Sequence, residues 1–257
     1  MKRVFLGSIF LVASLFIAGC SYEQKPPKEE GPFLKSDLVE LKELDPTLRL
    51  DIRYATTNNF IGRPVYRVAC AFLQRPAAEA LVRTNKALRE KGYGLVIYDS
   101  YRPWSVTKFF WDITPEDKKQ FVADPNKGSF HNRGCAVDVS LFDLKTEKEV
   151  IMPCEFDEFS ERSHIKYQGG TEGSRHLRDL LRTAMEAEGF IVYKSEWWHY
   201  NYKDCYKYPI LNIPFEEIMN TRCMIKIKNN NVSNLKNNNK LKTGMVVLKR
   251  TEENENS

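Results

Sequence analysis

Apolar side chains recur at helical spacing in two long segments of the chain. In Ser174–Glu188, five apolar residues fall on one face of a helix, and Gly189 follows as a stop signal. In Pro76–Lys91, apolar residues recur in the same way, the proline suits the first turn and Gly92 ends the pattern. A shorter helix is predicted over Ser105–Asp112.

Other segments are short and apolar, or alternate apolar with polar residues, which is the pattern of β-strands. The predicted strands are Leu50–Tyr54, Leu95–Tyr98, Ala136–Leu141, Phe190–Tyr193 and Trp197–Tyr202. The last two are separated only by the corner Lys194-Ser195-Glu196, which indicates an antiparallel pair. The expected fold is an α+β domain with a central antiparallel sheet flanked by helices.

The first twenty residues have the composition of an export signal. Lys2 and Arg3 precede the apolar run Val4–Ala18, which is too short to span a bilayer comfortably. Small residues then precede Cys20, as in a bacterial lipobox. Residues 1–20 are therefore predicted to be a lipoprotein-type signal peptide, with Cys20 as the lipidated residue. An ordinary signal peptide and a short anchor helix are the alternatives.

Composition and charge delimit the folded domain. The charged, proline-rich segment 21–32 predicts a flexible tether, and the Asn/Lys-rich segment 222–257 is expected to be a disordered tail. Residues 33–221 remain as one domain. The tail accounts for the whole net charge of +5, because it holds eight Lys or Arg and three acids. The domain therefore has no net basic charge for nucleic acid to bind.

The cysteines argue against a thiolate metal site. Apart from Cys20 there are five, an odd number, and no two of them form a CxxC pair. An exported protein can form disulfides, so at least one of these thiols stays free or pairs outside the chain. A zinc site built from cysteines is poorly supported.

Two of the four histidines lie near acidic residues in sequence. One segment runs from Ser129 to Asp138 and contains His131, and the other is Glu196-Trp197-Trp198-His199. A hydrolytic zinc ion takes three histidine or carboxylate ligands and keeps one position open for water. Two histidines and one aspartate meet this requirement, and Glu196 is then free to take a proton from that water. Alone, the ExxH spacing is better explained by a strand histidine hydrogen-bonded beside two tryptophans.

The two segments together match a known pattern. Residues 129–138 fit S-x-H-x-x-G-x-A-x-D, and residues 196–199 fit E-x-W-H. The chain resembles the D-alanyl-D-alanine dipeptidases of the vancomycin-resistance type, within a larger group of zinc peptidases that includes D,D-carboxypeptidases. The likeness extends from about residue 50 to residue 218 and includes the Tyr-Arg-Pro segment at 101–103.

This resemblance implies a site with one zinc ion per chain on a face of the sheet. The zinc ligands that it implies are His131, Asp138 and His199. Glu196 would act as general base and then as proton donor. Arg102 would stabilise the tetrahedral oxyanion, which suits the fixed charge and forked donors of a guanidinium. Outside this context Arg102 would be assigned to a structural ion pair, and Asp99 is placed to orient it.

A dipeptide carries an ammonium and a carboxylate close together, so its enzyme needs an acidic group on one side and hydrogen-bond donors on the other. The resemblance places Asp157 near the substrate amine, and it places Ser129 and Tyr54 near the substrate. The alternatives for the last two are a cap or turn serine and a tyrosine at a strand edge.

The expected function is hydrolysis of D-Ala-D-Ala to two D-alanines by a zinc metallopeptidase. The protein is expected in the bacterial cell envelope as a membrane-anchored lipoprotein, on the periplasmic side. One alternative is a D,D- or L,D-carboxypeptidase or endopeptidase that acts on peptidoglycan stem peptides. A non-catalytic binding module with the same fold is the other. The expected partners are a small D,D-dipeptide or peptidoglycan-derived peptide, and the membrane through the lipid anchor.

Overall fold

The structure, a computed structural model, describes residues 25–222. The strands are β1 Leu38–Glu40, β2 Arg49–Leu50, β3 Phe72–Gln74, β4 Tyr93–Asp99, β5 Ala136–Asp143, β6 Phe190–Val192 and β7 His199–Tyr202. The helices are α1 Leu41–Leu44, α2 Arg75–Arg89, α3 Trp104–Ile113 and α4 Glu172–Ala187, and residues 215–222 are also helical. All three helices expected from sequence are present, with ends within two residues of the predicted ones.

A five-stranded sheet in the order β2-β4-β5-β7-β6 forms the centre of the domain. Its pairs are antiparallel except for the edge pair of β2 and β4, which is parallel. Strands β1 and β3 form a separate antiparallel pair. Helices α2 and α4 contact each other and pack on the sheet through β4 and β6. The predicted α+β class is confirmed, with one parallel edge that the pattern did not predict.

The expected strand Leu50–Tyr54 is wrong beyond its first residue. Only Arg49 and Leu50 pair with β4, and the chain then turns into a 3₁₀ helix over Arg53–Ala55. The alternating apolar and polar residues predicted a strand with Arg53 exposed. Arg53 is instead buried, with its guanidinium 4.3 Å from the centre of the Tyr98 ring. A polar residue that packs inward breaks the assumption on which the alternating pattern depends.

The pairing of β6 with β7 is confirmed, but the connection between them is longer than the predicted three-residue corner. Strand β7 begins at His199, so the connection covers residues 193–198. The Trp197 amide donates to the Ser163 carbonyl instead of to a neighbouring strand. Both tryptophans are buried, which explains why the sequence pattern suggested a strand there.

One irregularity in the sheet aligns polar side chains across three strands. Ile97 of β4 pairs with Val139 of β5, but Asp99 pairs with Asp138 because the register shifts between them. Asp138 in turn pairs with His199 of β7. Directly opposed residues project from the same face of a sheet, so the β-bulge brings Asp99 to the face that carries Asp138 and His199.

Several predictions about the ends lie outside the described residues, namely the signal peptide over residues 1–20 with Cys20, and the tail beyond Arg222. Part of the predicted tether is described, and there Glu29 pairs with Arg133 and accepts from the Ile210 amide at 2.7 Å. Ordered contact with the domain thus begins before residue 33. Within residues 25–222, no helix is long and apolar enough to cross a membrane.

Candidate metal centre

The three predicted metal ligands come together from two strands and one turn. Asp138 and His199 are opposed residues of β5 and β7, and His131 lies in a 3₁₀ turn, His131–Arg133, just before β5. Gly134 ends this turn with a φ of +69°, and a Cβ there would lie 2.4 Å from a methyl carbon of Leu38. Only glycine combines that backbone conformation with the close approach.

One donor atom from each of these residues points to a common centre. His131 Nε2 lies 3.1 Å from His199 Nδ1, and the Asp138 carboxylate lies 3.4 Å from the first through Oδ2 and 3.0 Å from the second through Oδ1. All three donor atoms fall within 4.8 Å of one another. Among the described residues this is the one group of three or more His, Cys, Asp or Glu side chains close enough to hold a metal ion.

Hydrogen bonds on the outer nitrogens fix how the two imidazoles face this centre. His131 Nδ1 lies 2.6 Å from the Ser100 carbonyl, and His199 Nε2 lies 2.9 Å from Asn201 Oδ1. Both oxygens are acceptors, so the outer nitrogens can donate to them, which leaves the inner nitrogens available to bind a cation. Two lone pairs and a carboxylate at these distances fit a cation, and the donor types are those of a hydrolytic zinc site.

The charge of Asp138 suits the same role. Burial alone would raise the pKa of this carboxyl, but the charges and hydrogen bonds of His131 and His199 lower it. Asp138 is therefore ionised at neutral pH although it is only 3% exposed. Cysteine is absent from the cluster, and the four cysteines among residues 25–222 are buried and free.

Glu196 lies at the edge of this cluster, in the connection that precedes β7 and not in a strand. Its carboxylate is 3.9 Å from His199 Nδ1, and its amide donates to the Tyr193 carbonyl at 3.0 Å. Burial raises its pKa from 4.5 to about 7, against the opposing effect of His199. A carboxyl with this pKa can both accept and return a proton near neutral pH, as a general base must.

Arg102 is held by a buried ion pair with Asp99. Its Nε and Nη2 donate to the same carboxylate oxygen at 2.9 and 2.7 Å, and Nη2 is also 3.9 Å from Asp138. The other Asp99 oxygen accepts from the Tyr66 hydroxyl and from the Ser100 amide, each at 2.9 Å. Arg102 therefore forms a structural ion pair and also borders the metal cluster, because the pair with Asp99 holds its guanidinium there.

The three predicted substrate-binding residues all border the same cavity. The Tyr54 hydroxyl donates to Asp157 at 2.8 Å, and burial raises the pKa of Asp157 well above its ordinary value. Asp157 also has a φ of +57°, a strained conformation of the kind that functional sites retain. Ser129 accepts a hydrogen bond from the His131 amide at 3.2 Å.

Asn132 is a residue of the site that the sequence analysis missed. It is fully buried, and its amide donates to the Arg102 carbonyl at 2.9 Å and to Thr107 at 2.8 Å. Its oxygen accepts from the Ser129 amide at 2.8 Å. One side chain thus joins the segment of the metal ligands to the segment of Arg102. An asparagine between a histidine and an arginine gives no local signal of this role.

The cavity that these residues border has a volume of about 360 Å³. This is within the range of roughly 300–1,000 Å³ typical of small-molecule sites. One wall is aromatic, and there the rings of Phe121 and Phe159 stack with centres 5.0 Å apart. That wall is formed by residues 120–123 and 159, which the sequence did not predict to be part of the site.

Comparison with known proteins supports the same interpretation. A peptidase family model, described as D-ala-D-ala dipeptidase, matches residues 35–216. The chain belongs to this family. Membership makes it a metallopeptidase, so the resemblance carried by the two motifs is confirmed.

Curated relatives in the family cover most of the domain. The D-alanyl-D-alanine dipeptidase of Escherichia coli (strain K12) is 34% identical over 176 residues, which is 68% of this chain and 90% of that protein. The D-alanyl-D-alanine dipeptidase of Enterococcus faecium is 35% identical over 185 residues, 64% of this chain and 90% of that protein.

Solved structures give a weaker likeness. The vancomycin resistance D,D-dipeptidase VanXYg, in complex with a D-Ala-D-Ala phosphinate analog, is 20% identical with a TM-score of 0.36. That match covers 73% of this chain and 72% of VanXYg.

Proposed function

We propose that this protein hydrolyses D-Ala-D-Ala to two molecules of D-alanine, with one zinc ion held by His131, Asp138 and His199. The observation that carries the proposal is the convergence of two imidazole lone pairs and an ionised carboxylate beside Glu196, within one small-molecule cavity. When bound, zinc supplies Lewis acidity to the scissile carbonyl and to water.

Glu196 is the proposed general base. It takes a proton from the attacking water and delivers this proton to the amine that leaves when the peptide bond breaks. Its pKa of about 7 lies near the pH at which both transfers have comparable driving force. Its place at the edge of the cluster leaves it free to face the water instead of binding the metal.

Arg102 is proposed to stabilise the oxyanion that forms on the attacked carbonyl. Two of its donors are committed to Asp99, and its Nη2 group lies beside the metal ligand Asp138. Because the ion pair is buried and fixed, the positive charge needs no rearrangement during the reaction.

Asp157 is proposed to bind the ammonium of the dipeptide. Burial raises its pKa in the substrate-free protein by disfavouring the ionised carboxylate. An ammonium placed next to Asp157 would stabilise the ionised form, and the two charges would then pair. Tyr54 holds it in position through the 2.8 Å hydrogen bond.

A substrate panel tests this function. The zinc-loaded protein is supplied with D-Ala-D-Ala, with N-acetyl-D-Ala-D-Ala and with L-Ala-L-Ala as the matched control. We expect release of D-alanine from the free D,D-dipeptide and a large preference for it over the other two. Absence of D-alanine release would refute the proposal. A preference for the acetylated peptide would favour the second candidate, a carboxypeptidase of peptidoglycan stem peptides, for which exposed Tyr193 and Tyr206 at the cavity wall supply extra surface.

We also propose that the protein is exported and anchored by lipid on Cys20. The support is the sequence of residues 1–20, with two basic residues, an apolar run and small residues before the cysteine. The Cys20→Ala variant should leave the membrane fraction, whereas the wild-type protein should stay there after a high-salt wash. Equal recovery of both forms in the membrane fraction would contradict lipid anchoring.

A further inference from the structure

Three basic side chains border the cavity, and two of them are already paired with carboxylates. Arg102 binds Asp99, and Arg133 binds Glu29. The third is Lys127, which is exposed and has no carboxylate partner within ion-pair distance among residues 25–222. The cavity therefore offers one cation that is not neutralised by the domain itself.

The backbone that presents Lys127 is firmly held. The amides of Lys127 and Gly128 both donate to the Asp124 carbonyl at 3.0 Å, and the buried indole of Trp104 donates to the Pro125 carbonyl at 2.9 Å. Gly128 has a φ of +69°, and a Cβ there would lie 2.3 Å from Ile210. The lysine side chain thus extends from a fixed turn, so binding would have to order the side chain but not the backbone that carries it.

The charges of the cavity indicate what this cation binds. The carboxyl groups of Asp138, Asp157 and Glu196 suit a metal ion and an ammonium, but a peptide that ends in a free carboxyl also needs a positive group. Ser129, two residues after Lys127, has a hydroxyl that donates to no partner among the described residues. An ammonium and a hydroxyl donor on one short segment fit a carboxylate.

We propose that Lys127 binds the C-terminal carboxylate of the substrate and makes the enzyme selective for peptides with a free carboxyl end. This inference rests on the proposed peptidase function and identifies the residue that reads one end of the substrate. Lysine suits the position because its compact charge on a flexible stem can follow the carboxylate as the substrate settles.

The experiment compares D-Ala-D-Ala with D-Ala-D-alaninamide, which lacks only the negative charge. In Lys127→Met we expect KM for the acid to rise roughly 10- to 30-fold with little change in kcat, because the contact binds substrate and transition state alike. The wild-type protein should discriminate against the amide by a similar factor, and the variant should not. Lys127→Arg should restore most of the preference, and Lys86→Met, an exposed lysine on α2 away from the cavity, should behave as wild type.

Binding without turnover keeps this test separate from that of the function. Calorimetric titration of Glu196→Gln with the acid and the amide, with and without Lys127→Met, reports the carboxylate contact even when no product forms. A wild-type protein that binds the acid through Lys127 but releases no D-alanine would overturn the proposed function alone. If Lys127→Met weakens binding of the acid and of the amide equally, or weakens binding of neither, the proposed role of Lys127 is wrong.

Discussion

Replacement of Arg102 by lysine separates the structural role of this side chain from its catalytic one. Lysine keeps the positive charge but cannot reproduce the two bonds that Nε and Nη2 make to Asp99 at 2.9 and 2.7 Å. Asp99 keeps its donors from Tyr66 and Ser100, so the carboxylate is not left unpaired. The loss of one charge-assisted hydrogen bond is worth about 1.5–3 kcal/mol of unfolding free energy.

We expect Arg102→Lys to reduce kcat more severely than it reduces stability. Removal of one oxyanion donor typically lowers kcat by roughly 100- to 1,000-fold. We therefore expect Arg102→Lys to stay folded in urea titrations, to bind metal as the wild type does, and to release D-alanine from D-Ala-D-Ala at a kcat lower by that factor. The urea titration and the kcat measurement use the same zinc-loaded preparation.

Arg53→Lys is the matched control. Arg53 is buried, lies 2.8 Å from Asp51 and packs on the Tyr98 ring, but it does not border the cavity. This control should lose stability by a similar amount and keep its kcat. The assignment of Arg102 fails if Arg102→Lys keeps a kcat within about threefold of wild type, or if both variants lose kcat equally.

Of three further predictions, two concern residues near the metal cluster and the third concerns a carboxyl group away from it. Glu196→Gln should keep one metal ion per chain, measured by elemental analysis, and lose about 100- to 10,000-fold in kcat, because a general base contributes that much. Asn132→Ala should lower the free energy of unfolding by roughly 2–4 kcal/mol in urea titrations, since it leaves the buried partners of three hydrogen bonds unpaired. Partial desolvation raises the pKa of Glu149 from 4.5 to about 7 although its side chain is 36% exposed, so the unfolded chain binds fewer protons between these values and stability falls as pH rises through this window. Glu149→Gln should remove that contribution, and its stability relative to wild type should increase between pH 4.5 and 7.

Each of these predictions has an outcome that contradicts it. Unchanged turnover in Glu196→Gln would show that the base is assigned to the wrong residue. An Asn132→Ala variant as stable as wild type would mean that its hydrogen bonds are replaced by water. A constant stability difference between Glu149→Gln and wild type across that pH range would show that the Glu149 pKa is the same in the folded and unfolded states.

The long helices and the metal cluster were predictable because they depend on local or spaced patterns. Helix α4 shows its apolar face and its ends directly in sequence, and the Thr171 side chain caps it by accepting from the Ser174 amide. His131, Asp138 and His199 were predicted together because the two motifs that contain them resemble those of the zinc dipeptidases, and because two histidines and one aspartate are ligands that a hydrolytic zinc ion accepts. Their convergence, by contrast, needed the register between β5 and β7.

Other features depend on contacts that no sequence period encodes. The β-bulge that turns Asp99 toward the site is one residue of register shift in a strand whose apolar pattern continues without a break. The segment Leu50–Tyr54 alternates like a strand, but Arg53 packs inward against an aromatic ring. Asn132 and Lys127 have roles that depend on residues distant in sequence, so neither could be assigned from its neighbours.

The most direct test of the central claim is a zinc titration of the metal-free protein, followed by D-alanine release from D-Ala-D-Ala. We predict that activity rises linearly and reaches a plateau at one zinc ion per chain, and that His131→Ala lacks this breakpoint while it remains folded. Full activity without added metal, or zinc binding at one ion per chain without any release of D-alanine, would contradict the account.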